Sequence, residues 1–313
     1  MATLADMDPN QPTSRRPPAT RDASGPDAPW TVRRILEWTV GHLARHGSES
    51  PRLEAEVLLA HARCCKRIEL YTHFDEAVSD DERAAMRDLV QRRAKSEPVA
   101  YLVGRREFFS LDLRVTPDVL IPRPDTETLV VELLERARGV ASPRILDVGT
   151  GSGAIAVAAA VHLPSAHVTA IDLSEAALAV ARSNAESHGV ADRLRFLHGD
   201  LFAPLTAGEQ FDLIASNPPY VRDGELESLP PDVRLHEPMS ALAAGPEGLD
   251  VIERVIAGAP AFLAGGGWLL VEISPRQSAA VLRQLERQGA YAKARGVRDL
   301  RGQVRVVVAQ RRA

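Results

Sequence analysis

The chain has 313 residues, 45% hydrophobic and 26% charged, with 38 Lys and Arg against 42 Asp and Glu for a net charge of −4. At roughly 150 residues per domain this length predicts about two domains, and the composition excludes a disordered, collagen-like or membrane-embedded chain as the overall class. The slight acidity argues against a dedicated nucleic-acid clamp, which carries a strong basic excess, and no apolar run approaches the ~20 residues of a bilayer-spanning helix.

Residues 1–29 contain six prolines and no aromatic residue. They cannot bury enough surface to offset their ordering entropy, so a disordered tail is expected, and the apolar core of a signal peptide is missing. From Trp30 the pattern turns helical. Ile35, Leu36, Val40 and Leu43 recur at helical spacing, and Ser50-Pro51 opens a second helix with Leu53, Val57 and Leu58 assigned to one face. A third helix, Ser79 to Ala94, starts with Ser79-Asp80-Asp81-Glu82, the signature of a capping box. Residues 30–105 are therefore expected to form a small helical domain. The only cysteines, Cys64 and Cys65, are adjacent, which suits neither a disulfide framework nor a zinc site and points to a reducing cytoplasm. His42 and His46 have ligand-like spacing without a third ligand, so no metal is expected.

Residues 106–122 change period. Phe108, Phe109, Leu111, Leu113, Val115, Val119 and Ile121 predict two short strands turning at Thr116-Pro117-Asp118, a linking hairpin between the two halves. A helix follows from Leu129 to Ala137. Strands are then predicted at Arg144–Val148, His167–Asp172, Leu194–His198, Phe211–Ser216, Trp268–Ile273, Ala290–Ala294 and Val304–Ala309, with helices such as Glu175–His188 and Leu249–Leu263 between them. That alternation calls for an α/β fold over 123–313, a mostly parallel sheet with helices on both faces.

Two loops carry chemistry. Asp147-Val148-Gly149-Thr150-Gly151-Ser152-Gly153 joins the first strand of this half to an Ala-rich helix. Its glycines permit positive φ and close backbone approach, and free N–H groups at the helix N-terminus favour an anion. The spacing is neither the dinucleotide fingerprint nor a Walker loop. Asp172 ends the next strand, where a carboxylate can accept both ribose hydroxyls of an adenosine. Asp200 follows the third strand and can accept from an adenine amino group, with Leu201 or Phe202 against the ring. The alternative for both carboxylates is capping of the helices that follow. The ordered set points to S-adenosylmethionine rather than a nicotinamide cofactor.

The second loop, Asn217-Pro218-Pro219-Tyr220, ends the fourth strand. Two prolines fix the backbone and leave the Pro218 carbonyl without a local N–H partner. The Asn217 amide oxygen and that carbonyl can converge on an NH2 group conjugated to a π-system, with Tyr220 stacked over the planar group. Accepting both hydrogens favours tetrahedral character at the nitrogen as a methyl group arrives.

From Trp30 to Ala309 the chain resembles the PrmC (HemK) peptide chain release factor N5-glutamine methyltransferases. The resemblance is carried by the Asn-Pro-Pro-Tyr loop behind Asp-x-Gly-x-Gly-x-Gly, and by Tyr71-Thr72-His73-Phe74-Asp75, Glu97 to Gly104, and Glu107-Phe108-Phe109. It continues through Val119 to Glu127, His236-Glu237-Pro238, Gly248-Leu249-Asp250 and Val271-Glu272-Ile273. It implies a seven-stranded S-adenosylmethionine-dependent, Rossmann-like methyltransferase domain, and a helical domain that docks class I release factors, in a cytoplasmic monomer acting on neither nucleic acid nor membrane. Gly149, Thr150, Gly151, Ser152, Gly153, Asp172, Asp200, Leu201 and Asn217 are then expected at the cofactor. Asn217, Pro218, Pro219 and Tyr220 are expected at the glutamine of a Gly-Gly-Gln motif, with Asn217, Pro218 and Tyr220 catalytic. Leu201 stands where the family commonly has an aromatic residue. A DNA or RNA amino methyltransferase, or a silent S-adenosylmethionine-binding docking module, are the alternatives.

Overall fold

A computed structural model describes residues 29–313, so the tail expected over 1–29 lies, but for Pro29, outside the described residues. The first part of the described chain is helical: α1 (Val32–Arg45), α2 (Pro51–Ala62), α3 (Arg67–Thr72), α4 (Asp80–Arg93) and α5 (Val99–Val103). Val32, Leu36, Leu43, Leu58, Leu59, Leu70 and Met86 fill the centre of this unit. On α2, however, Leu53 is 46% exposed, and the buried face runs through Ala55, Leu58 and Leu59. Five positions at 100° each separate Leu53 from Leu58 by about 140°, so the two cannot share a face. The short α3 and α5 carry too few residues to show a period.

The capping box of α4 forms as expected. Ser79 Oγ accepts from Glu82 N at 3.3 Å, and Glu82 Oε2 accepts from Ser79 N at 2.8 Å. Ser79→Ala should cost about 1 kcal/mol of stability. Denaturant melts with an unchanged m-value will read that loss as a lower midpoint.

The hairpin is shifted from its expected position. β1 (Arg105–Phe108) pairs antiparallel with β2 (Leu111–Arg114), and the turn is Phe109-Ser110 rather than Thr116-Pro117-Asp118. Both turn residues have positive φ, 49° and 62°, the condition for the tight hairpin turn that matches strand twist. Neither is Gly, Asn or Asp, so the turn carries no sequence signal. Residues 115–122 form no strand. Val115, Val119 and Ile121 are buried around Tyr101, whose hydroxyl donates to the Val119 carbonyl at 2.6 Å. Phe108, Leu111 and Leu113 belong instead to the core of the following unit.

That unit contains α6 (Glu127–Ala137), β3 (Arg144–Val148), α7 (Ala154–His162), β4 (His167–Asp172), α8 (Glu175–Ser187), β5 (Leu194–His198), β6 (Phe211–Ser216) and α9 (Pro231–His236). It closes with α10 (Asp250–Phe262), β7 (Leu263–Glu272), α11 (Ser278–Gln288), β8 (Tyr291–Arg298) and β9 (Val304–Arg311). The seven-stranded sheet has the order β5-β4-β3-β6-β7-β9-β8. β5 to β7 run parallel, and β9 is antiparallel to both its neighbours. A seven-stranded, mostly parallel sheet was the expectation. β3 to β6 keep the expected bounds, because each is a short apolar run between clear loop signals. β7 starts at Leu263, not Trp268, since Gly265, Gly266 and Gly267 mask an extended segment that joins β6 across a bulge. β8 and β9 also extend further than expected, to Arg298 and Arg311. The residues added to β8 alternate in exposure, those added to β9 are Gln310 and Arg311, and both extensions include arginines, so hydrophobicity alone does not mark them.

Two apolar layers cover the faces of the sheet, one under α6, α7 and α8 and one under α10 and α11. One buried side chain ties the hairpin to this unit. Asn184 on α8 accepts from Arg114 N at 2.7 Å through Oδ1, and its Nδ2 donates to Arg114 O at 3.0 Å and Ser152 O at 2.8 Å. The strand order reverses beside β3, between β4 and β6, so the loops after β3 and β6 diverge and leave a crevice at the carboxyl ends of the strands.

Candidate active site

The crevice is a cleft of about 400 Å³, within the usual range for a small-molecule site. Residues 149–152, Asp172, Asp200, Leu201 and Asn217-Pro218-Pro219 all line it, with Thr126 and Arg123 from the segment before α6. Gly153 sits just behind, at the N-cap of α7 with φ 80°. A Cβ there would lie 3.1 Å from that of Ala181, so the positive φ and the close approach of α8 together favour glycine.

The glycine loop is held by its own hydrogen bonds. Gly149 N and Thr150 N both donate to Ile171 O at 2.9 Å, Gly151 N donates to Asp172 Oδ2 at 2.8 Å, and Gly153 N donates to Thr150 O at 2.8 Å. The fold itself thus occupies these four loop amides, which precede the first turn of α7. Below the loop, Asp147 is fully buried and accepts from Thr150 Oγ1 at 2.6 Å and Ala156 N at 3.2 Å. Burial pushes its carboxyl up to about 7 despite those two bonds.

Asp172 is anchored by Gly151 N and, through Oδ1, by Ser174 N at 2.9 Å. It does not cap α8: Ser174 does, accepting from Ala177 N at 3.1 Å. Asp200 likewise caps no helix. Its half-exposed carboxylate pairs with Arg254 at 2.5 Å, and both side chains border the cleft. Leu201 takes φ 49°, an uncommon conformation for a side chain of this size, at the cleft wall.

The Asn217 loop follows β6, and Ser216 Oγ donates to Val148 O at 2.7 Å, which fastens the end of β6 to that of β3. Asn217 Nδ2 donates to Thr126 Oγ1 at 3.2 Å, so the amide oxygen is the end turned away from Thr126. Among the described residues no donor reaches the Pro218 carbonyl. Tyr220 is placed differently from the expectation. Its ring does not line the cleft; it packs into the apolar layer under α10, and its hydroxyl lies by Glu272. Burial pushes that hydroxyl up to about 12, with Glu272 adding to the shift. Gln277 clamps the backbone here, donating from Nε2 to Tyr220 O at 3.1 Å and Gly248 O at 2.9 Å. A Cβ on Gly248 would come within 2.4 Å of Tyr220 O, so this approach admits glycine alone.

Sequence reasoning assigned no role to Thr126, Glu237, Glu272 or Gln277. Glu237 is buried, accepts from Arg123 at 2.5 Å and Ile121 N at 3.4 Å, and thereby ties the segment after α9 to the one before α6. Burial raises its carboxyl even so. Glu272 had one signal, a carboxylate closing the apolar run Leu269-Leu270-Val271 at the carboxyl end of a strand. His42 and His46 stack with Trp38 as a ladder of rings at 4.2 and 4.9 Å between centroids. Among the described residues no group of three or more His, Cys, Asp or Glu side chains is arranged to hold a metal ion.

Comparisons with known proteins agree with this architecture. The family model described as the PrmC N-terminal domain matches residues 34–104, and that described as the methyltransferase small domain matches residues 124–229. A release factor glutamine methyltransferase of Rhodopirellula baltica is 47% identical over 289 residues, covering 91% of this chain and 98% of the relative. One of Geobacter sulfurreducens is 48% identical, covering 83% of this chain and 90% of the relative. Among solved structures, the hMettl16 catalytic domain in complex with the MAT2A 3′UTR hairpin 6 aligns with a TM-score of 0.53 at 18% identity, over 72% of this chain and 82% of that one. The T. thermophilus 16S rRNA N2 G1207 methyltransferase in complex with AdoMet and guanosine aligns with a TM-score of 0.50 at 22% identity, over 66% of this chain and 50% of that one. At these identities the two structures speak to the fold alone.

Proposed function

The chain belongs to the release factor glutamine methyltransferase family, and on that membership we propose that it transfers a methyl group from S-adenosylmethionine to the side-chain amide nitrogen of the glutamine in the Gly-Gly-Gln motif of class I release factors. The observation that carries the proposal is Asn217, held by Thr126 in a proline-locked turn, beside a cleft bordered by the glycine loop and Asp172.

The residues fit the cofactor. A Cβ added at Gly149 or Gly151 would meet no protein atom within 4 Å, so the loop leaves room at the cleft wall. Asp172 supplies an anchored carboxylate for a ribose diol, Asp200 and Leu201 border the place of an adenine, and residues 149–153 with Asn217 complete the enclosure. When bound, S-adenosylmethionine supplies a methyl group already activated by the sulfonium charge, so the protein's task is positioning and acceptor placement.

Asn217 Oδ1 and the Pro218 carbonyl accept the two hydrogens of the glutamine NH2 and draw its nitrogen toward tetrahedral geometry. Pro219 fixes the turn. Tyr220 backs the loop from the apolar layer, with its ring outside the cleft wall. The proton released from nitrogen passes to Asn217, the Pro218 carbonyl or water.

We assign residues 30–105 to release-factor docking, 106–122 to the link and 123–313 to chemistry, in a cytoplasmic monomer that binds neither nucleic acid nor membrane. Among the described residues no helix is long and apolar enough to cross a membrane.

Labelled methyl transfer tests the proposal. Purified release factor should be labelled, while its Gln→Ala variant and nucleic acid should not. Label on nucleic acid alone would overturn it in favour of a base-modifying enzyme. A chain starting at Arg105 should methylate whole release factor with kcat/KM at least about tenfold below the full chain, because remote binding energy positions the glutamine. The cut must precede the hairpin, since Phe108 belongs to the methyltransferase core. Melting confirms folding first, and equal kcat/KM would contradict a docking role for the helices.

A further inference from the structure

Glu272 ends β7 with no solvent exposure, and neither carboxylate oxygen completes a hydrogen bond of ordinary geometry among the described residues. A buried carboxylate without partners is costly, so its neighbours matter. Those neighbours are the hydroxyls of Thr126 and Tyr220 and the guanidinium of Arg305, all of which favour its ionised form, with Asp125 opposing. Arg305 is itself held by Asp125 at 3.0 Å. Burial outweighs the favourable contacts and pushes the Glu272 carboxyl up to about 7.

The Thr126 hydroxyl connects this carboxylate to the proposed acceptor. Thr126 is buried, and its Oγ1 accepts from Asn217 Nδ2 at 3.2 Å. A hydroxyl that accepts one hydrogen bond retains its own proton to donate. In its ionised form, which both hydroxyls and Arg305 favour, Glu272 is an acceptor-only group beside it. We propose that Glu272 is a positioning residue: it accepts the Thr126 proton, which leaves Thr126 Oγ1 as an acceptor for Asn217 Nδ2 and fixes the Asn217 amide with its oxygen toward the substrate NH2.

The physical need is definite. The two ends of an Asn amide are nearly identical in shape and opposite in polarity. If the Thr126 proton pointed at Asn217, the amide would turn over and present its own NH2 to the NH2 of the substrate, donor against donor. Glu272 removes that alternative without touching substrate or cofactor. The inference rests on the role given to Asn217 above, but the orientation of the amide can be tested apart from it.

Glu272→Met removes the acceptor at similar volume but leaves the Thr126 and Tyr220 hydroxyls and Arg305 without their carboxylate neighbour, so melting is checked before activities are compared. Thr126→Val removes the relay hydroxyl. Each should lower the single-turnover rate at saturating substrates about tenfold or more, with KM for release factor little changed. The double variant should be no slower than the slower single, because the two residues act in series. Glu272→Gln and Thr126→Ser, which keep an acceptor and a hydroxyl, should recover most of the loss. In the protein without substrates, the side-chain NH2 signals of Asn217 in 15N NMR should move in both Glu272→Met and Thr126→Val. Wild-type turnover with unmoved Asn217 signals in Glu272→Met would overturn the inference, as would losses that multiply in the double variant. If Glu272→Met fails to fold, the Thr126 pair decides alone: equal turnover of Val and Ser overturns the relay. If the wild-type protein transfers no methyl to release factor, the functional proposal falls, while the NMR measurement still decides the orientation of the amide.

Discussion

Asn217→Ala is expected to lower the single-turnover rate of methyl transfer by about 10²–10³, or ~3–4 kcal/mol, the usual effect of removing one group aimed at a transition state. The acceptor strengthens its bond as the substrate nitrogen becomes tetrahedral, so the loss falls on kcat rather than on binding. Release factor should still bind through the helices, and cofactor affinity should fall only modestly. Asn217→Asp is the informative partner. It keeps an acceptor, but it loses the Nδ2 donor that Thr126 now accepts at 3.2 Å. The Thr126 proton must then serve the new carboxylate in competition with Glu272. Asp should therefore retain more turnover than Ala and less than the parent. Similar single-turnover rates for Ala and the parent, with both substrates saturating, would mean that the acceptor mechanism is wrong.

Asp172→Ala should weaken S-adenosylmethionine binding by ~100-fold or more. Two charge-assisted bonds to a ribose diol are worth about 1.5–3 kcal/mol each before compensation. The carboxylate also holds Gly151 N and Ser174 N, so alanine loosens the glycine loop as well as removing the ribose contact. Asp172→Asn keeps one strong acceptor without the charge and should fall between the two. Calorimetry reads the affinities, and circular dichroism checks that the sheet persists. Unchanged affinity in the alanine variant would sink the ribose assignment.

What the sequence made legible divides along physical lines. β3, β4 and β6 could be read to the residue because a strand buried on both faces is a short apolar run with polar ends, and the edge strand β5 because Leu194, Phe196 and Leu197 stand between clear loop signals. The hairpin turn could not, because Phe109 and Ser110 enter the left-handed region that Gly, Asn and Asp usually mark. At the site, the glycine loop, Asp172 and Asn217 were legible, since each is a local motif at the end of a strand. Thr126 and Glu272 were not, because Thr126 meets Asn217, and Glu272 meets Thr126, only through tertiary packing. The register that sets Ser216 opposite Val271 places residue 217 beside residue 272, and no local pattern announces it. Tyr220 shows the limit from the other side. Its place in the motif was plain, but Gln277 and the close approach of Gly248 fix the backbone around it, and the ring packs under α10 rather than at the cleft.

The grip of Asn184 on the hairpin bears on how the edge of this small sheet is covered. An exposed strand edge invites a strand from another molecule, with backbone donors and acceptors in register. On β2 the N–H and the carbonyl of Arg114 are both taken by one side-chain amide, which bonds as a neighbouring strand would, and His188 reaches the Asp112 carbonyl at 3.1 Å. The helix α8 thus supplies a substitute for the missing strand. The opposite edge, β1, opens with Arg105, Arg106 and Glu107, all exposed, so an approaching copy meets like arginines before it meets backbone. A two-stranded sheet this small is protected against strand addition on both sides, by mimicry on one and by charge on the other.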